Sequence, residues 1–114
     1  MSNPLELVEQ QLAAYNARDL ERFLAVFSED IEVTRLPGTT PTLAGKAAFG
    51  AFYAQNRFNL PNLNAQVVSR MVLGNKVVDH ERITGVGPEP IEIIVIYAIE
   101  DGLIRRMWSL APEA

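Results

Sequence analysis

VVDHERITG, residues 77–85, decides how this chain is read. It holds the only histidine and four consecutive ionisable side chains, Asp79, His80, Glu81 and Arg82, between apolar flanks. On a strand, Asp79 and Glu81 share one face, and His80, Arg82 and Thr84 share the other. The stretch reads as a strand in the middle of a curved sheet, with one face lining a cavity.

Working outward, Gly74-Asn75 is a tight-turn signal, and residues 65–73 before it alternate as a partner strand. After it comes a longer Gly/Pro turn at 85–90, then a β-branched strand at 91–99. Asp101-Gly102 is the strongest hairpin signal in the chain and leads into a last strand at 103–110. Upstream of residue 64 the period is helical. Asn3 and Pro4 cap and start a helix over 4–16, with Leu5, Val8, Leu12 and Tyr15 on one side. Asp19 caps a short second helix carrying Leu20, Phe23, Leu24 and Phe27 and ending near residue 28. A short strand at 31–35 and a loop through Pro37, Gly38 and Pro41 lead to a third helix after Gly45, with Phe49, Phe52 and Tyr53 on one side. Helices first and an antiparallel meander last predict an α+β layered domain.

At 114 residues the chain is long enough for a single domain over 1–114 and too short for two cores. Hydrophobic residues at 48% and charged residues at 21% exclude disorder. No apolar run approaches the roughly 20 residues of a membrane span. The N-terminal MSNPLELVEQQ lacks the basic flank and apolar core of a signal peptide, so the expected compartment is the cytoplasm. The net charge of −4 disfavours nucleic-acid partners. With one histidine and no cysteine, neither a protein-held zinc nor any other metal or cofactor is implied.

The segments YNARDL at 15–20, FSED at 27–30, GKAA at 45–48 and DGLIR at 101–105, in this order and spacing, resemble the nuclear-transport-factor-like superfamily. That group includes SnoaL-type polyketide cyclases, ketosteroid isomerase and limonene epoxide hydrolase. The resemblance implies a cone: a curved antiparallel sheet packed on three N-terminal helices, open at one end, with a pocket inside and homodimers common. It does not carry the relatives' catalytic groups across. Gln11, Arg35 and an apolar residue at Val95 or Ile96 stand where the isomerase has its tyrosine, base and buried acid. Against the hydrolase pattern, Arg82-Ile83-Thr84 keeps an arginine and loses the acid, and the last-strand acid falls near Ser109.

Two like charges on one dry face are costly, so Asp79 and Glu81 are expected outside and His80 and Arg82 inside the cone. His80 then serves as proton shuttle or donor, against the plainer reading of a histidine tied to a carboxylate. Arg82 orients an anionic or carbonyl group, or else pairs with Glu32, Glu92 or Glu100 across strands. Arg35, if it faces inward, sits at the mouth and favours a carboxylate-bearing ligand; a surface arginine is its alternative. Tyr15, Tyr53 and Tyr97 are candidates for the pocket lining, with one of the three expected there and the others packed in the core with the hydroxyl tied to a backbone group. Trp108 is a candidate for a pocket wall or dimer anchor. Phe23, Phe27, Phe49, Phe52 and Met71 read as core. Residues 91–99 are apolar on both faces, which predicts that Ile94, Ile96 and Trp108 meet a second copy through the outer sheet face. The expected function is binding of an apolar or aromatic small molecule in the cone, with isomerase, cyclase or hydrolase chemistry at His80 and Arg82. The alternative is a non-catalytic ligand-binding or protein-interaction module.

Overall fold

The structure is a computed structural model that describes residues 3–112; Met1 and Ser2, part of the stretch read as lacking a signal peptide, lie outside them. Helix α1 (Pro4–Asn16) begins where the Asn3 side chain accepts the Glu6 N–H at 2.9 Å, with Pro4 in the first turn. Helix α2 (Leu20–Leu24) begins likewise, with the Asp19 carboxylate accepting the Arg22 N–H at 3.2 Å. It stops earlier than the apolar spacing suggests. Strand β1 (Phe27–Arg35) takes over at Phe27, and the Ile104 N–H donates to the Val26 carbonyl at 2.9 Å. Phe27 remains fully buried in this extended backbone, so tertiary pairing costs it no packing. A two-residue strand β2 (Leu43–Ala44) and helix α3 (Lys46–Asn56) follow.

The four predicted strands are present as β3 (Asn64–Leu73), β4 (Lys76–Thr84), β5 (Ile91–Glu100) and β6 (Leu103–Leu110). They form one six-stranded sheet in the order β2-β1-β6-β5-β4-β3. β1 runs parallel to β6, so the sheet is mixed rather than wholly antiparallel. Asp101 and Gly102 join β5 to β6 with φ of +53° and +77°, the two left-handed residues of a type I′ turn. At the end of β4, Gly85 has a φ of +89° and packs directly on the backbone of Asn62, where a Cβ would collide.

Helices α1 and α3 lie against the concave face, and α2 packs against both helices. Phe23 anchors the core, with ring centroids 4.8 Å from Phe27, 4.9 Å from Tyr53 and 5.1 Å from Phe58. The end of α1 is tied to the sheet by Asn16. Its side chain accepts the Ala65 N–H at 2.7 Å and donates to the Ala65 carbonyl at 3.0 Å. This satisfies both backbone groups of Ala65 on the edge strand β3.

One irregularity controls which side chains enter the interior. β3 pairs with β4 in register from Asn64↔Thr84 to Val67↔Glu81, and then from Ser69↔His80 to Leu73↔Lys76. Val68 is the extra residue of a β-bulge. Beyond it the alternation of β3 is inverted. Met71, expected in the core, therefore points to the convex face and is 66% exposed. Arg70 points inward instead, opposite Asp79.

Candidate functional site

The inward face of β4 carries Val77, Asp79, Glu81 and Ile83, all buried. This reverses the expected orientation of the strand. His80 and Arg82 are on the convex face, where His80 Nε2 lies 2.8 Å from Glu92 Oε1 and Arg82 is exposed. The repulsion argument is sound, but each inner carboxylate has its own remedy. Arg70 grips Asp79 with two bonds, Nε to Oδ1 at 2.6 Å and NH2 to Oδ2 at 2.9 Å. Glu81 has no cation within ion-pair distance among the described residues. The Tyr97 hydroxyl donates to its Oε2 at 3.1 Å and accepts a hydrogen bond from the Gln11 amide, also at 3.1 Å.

This chain of Gln11, Tyr97 and Glu81 is built by three elements. Gln11 is the one polar side chain in the buried stripe of α1, beside Leu7, Val8, Ala14 and Tyr15. Tyr97 lies on β5 in register with Val77 of β4 and Met107 of β6. Burial pushes the Glu81 carboxyl up to about 7, and the negative Asp79 two residues away adds to the rise. The Tyr97 hydrogen bond and the more distant Arg70 oppose it. Burial likewise raises Tyr15, to about 12, although the nearby Arg57 cation offsets part of this. Tyr53 and Tyr97 are also pushed up by burial, Tyr97 further by the charge of Glu81. All three phenols thus stay protonated across the range in which Glu81 titrates.

Glu81 sits at the closed end of a cavity. A narrow inner part of about 70 Å³ is lined by Gln11, Tyr15, Glu81 and Tyr97 among others. It adjoins an outer part of about 470 Å³ that includes Val33, Arg35, Leu43 and Ser109. Phe52, Tyr53, Arg57, Ile93, Val95 and Met107 border both parts, so the two are continuous. The size is that of a drug-sized ligand site. Tyr15, Tyr53 and Tyr97 thus lie along the wall, and Arg35, at the end of β1, lies at the mouth. Trp108 lies on the convex face and borders a separate shallow groove with Thr34 and Arg106.

Glu81 and Arg57 did not emerge from the sequence as site residues. For Glu81 a signal existed: Val77 and Ile83 share its parity and mark that face as the more apolar one. For Arg57 the signal is the spacing of four from Phe49 and Tyr53, which puts it on the inward side of α3 as the helix ends. Its guanidinium lies over the Phe52 ring, 5.7 Å from the centroid.

A curved, open sheet wrapped on helices around a ligand-sized cavity with one acid at its base defines an α+β pocket protein. The chain belongs to the SnoaL-like domain family, which matches residues 8–107. Solved structures share the fold. An uncharacterised cystatin-fold protein from Novosphingobium aromaticivorans superposes with a TM-score of 0.84 at 22% identity, covering 96% of this chain and 98% of that one. The Δ5-3-ketosteroid isomerase from a Mycobacterium species gives a TM-score of 0.81 at 19% identity, over 95% and 92%. A computationally designed 17-OHP binder gives 0.82 at 15% identity, over 95% and 91%. No curated protein matches the sequence. No described helix is long and apolar enough to cross a membrane.

Proposed function

We propose that the cavity binds an apolar or aromatic small molecule and that Glu81, rather than His80, exchanges a proton with it. The observation that carries this reading is the Glu81 carboxyl itself. It is buried at the base of a ligand-sized cavity, without a cation partner among the described residues, and one oxygen is held by Tyr97. A carboxyl raised to about 7 is populated in both protonation states near neutral pH, which suits general acid–base work. In the proposed step, ionised Glu81 takes a proton from carbon next to a ligand carbonyl and returns it at another carbon. The Tyr97 hydroxyl holds the carboxylate in place. The expected reaction class is isomerisation or cyclisation through an enol.

A test uses a Δ5-3-ketosteroid as probe, chosen because an isomerase of that substrate shares the fold. Deuterium uptake from D2O at the carbons flanking the carbonyl is followed by NMR. Wild-type protein should catalyse exchange, and Glu81→Gln should bind the probe with exchange reduced about 10²–10⁴-fold. Exchange at the wild-type rate in Glu81→Gln would defeat the assignment. Binding without turnover is the second reading, favoured by the designed steroid binder among the similar structures. It holds if the probe binds and neither protein exchanges.

We also propose a homodimer through the convex face. Met71, Val78, Ile96 and Trp108 lie side by side across four strands in register, an apolar row on a face that no described helix covers. Light scattering at micromolar concentration should give a dimer mass, and Ile96→Glu should give a monomer. A wild-type monomer would remove this assembly.

A further inference from the structure

We propose that the ligand of this cavity is an organic carboxylate, held with its anionic end between Arg35 at the mouth and Arg57 behind it, and with its apolar body directed toward Glu81. The inference rests on the reading of the cavity as a ligand site and adds the class of molecule and its orientation.

The chain has 14 acidic and 10 basic residues, so carboxylates are not scarce. Arg70 and Arg105 each find two of them, and Lys46 finds one. Arg35 and Arg57 are among the seven basic residues with no carboxylate within ion-pair distance among the described residues, and of those seven they alone line the outer part of the cavity. Arg57 is half-buried and held in one pose. It lies over Phe52, and one NH1 proton goes to the Asn56 carbonyl at 2.9 Å. A guanidinium fixed in this way has its remaining donors arranged as a planar fork, which fits the two oxygens of a carboxylate.

The order of polarity along the cavity gives the orientation. Arg35 stands at the mouth, Arg57 borders both parts of the cavity together with Phe52, Ile93, Val95 and Met107, and Glu81 with Tyr97 closes the base. An anion at the base would meet the like charge of ionised Glu81. Toward the mouth it meets Arg35 and then Arg57, with the apolar wall beside the latter. A molecule with charge at one end and hydrocarbon at the other satisfies both regions.

The probes are 1-naphthylacetate and its isosteric neutral amide, 1-naphthylacetamide, titrated calorimetrically into the full chain. The acid should bind about tenfold or more tightly than the amide, a gap of about 1.4 kcal/mol. Arg57→Gln should remove most of this gap and the more exposed Arg35→Gln a smaller part. The double variant should bind both probes equally. Arg57→Lys, which keeps the charge, should retain part of the preference and shows that loss in Arg57→Gln is not misfolding. Equal affinity of acid and amide in wild-type protein, or a gap that survives in the double variant, would overturn the carboxylate and leave the cavity reading standing. Failure of both probes to bind would remove the two together.

Discussion

The two faces of β4 carry the same kinds of side chain under opposite rules. On the concave face, Asp79 and Glu81 are out of water, and each charge has to be resolved by the protein. Asp79 is resolved by a two-bond pair with Arg70, and Glu81 by a shared hydrogen bond and a raised proton affinity. On the convex face, His80 and Arg82 keep access to water; the His80 contact with Glu92 joins side chains that are 39% and 54% exposed. Charge is structural or chemical on one side and nearly neutral for stability on the other. The lesson is that ionisable residues in a strand are ranked by parity, not by identity.

The sharpest way to break this contrast is Arg70→Met, which leaves Asp79 buried and unpaired. A loss of about 3–5 kcal/mol in urea unfolding is expected, and the double variant Arg70→Met/Asp79→Leu should regain most of it. A single-variant loss below about 1 kcal/mol would mean that Asp79 is not confined as described. Glu81 provides the next test, through pH. In the unfolded chain it loses its proton near its ordinary value of 4.5, and in the folded chain near 7. Between these the folded state binds more protons, so stability should fall as pH rises through this window, by on the order of 3 kcal/mol. Glu81→Gln should flatten that slope; an unchanged profile would contradict the raised carboxyl. In the proposed reaction, where Glu81 acts as the base, the exchange rate should rise with pH to a plateau above about 7.

Tyr97→Phe sharpens the same face. It strips one partner from Glu81 and one from Gln11, with an expected loss of about 1–3 kcal/mol and a further rise in the Glu81 proton affinity. NMR titration of the Glu81 carboxyl carbon checks the direction. On the convex face, His80→Ala and Arg82→Ala should each change stability by less than about 1 kcal/mol. Both should retain deuterium exchange on the ketosteroid probe. Loss of exchange in His80→Ala would put the acid–base role on the outer face and reverse the comparison.

Most of the fold was legible. The caps at Asn3 and Asp19, the two tight turns and the change of period near residue 64 are local signals, and each element follows from them. What was not legible depends on contacts between strands. A single bulge at Val68 exchanges the faces of Arg70 and Met71, and no local feature of residues 65–73 announces it. Without Arg70 inside, burying Asp79 and Glu81 looks prohibitive, so the inner and outer faces of β4 were interchanged. The parallel pairing of β1 with β6 was hidden for the same reason, since it joins segments about 75 residues apart. The aromatic core is legible because its helical spacing does not depend on that bulge, whereas all three tyrosines border the cavity where one of them was expected.

The placement of β6 has a consequence for how the polypeptide is made. Although last of the strands in sequence, it lies between β1 and β5 and supplies the hydrogen-bonding partner for both. On the ribosome, β1 therefore waits with only the two residues of β2 beside it until some 70 further residues have been synthesised. The sheet is completed by insertion of its central piece rather than by growth at an edge. Folding of this chain should accordingly be slow for its size, and a nascent chain stalled before Leu103 should depend on chaperones.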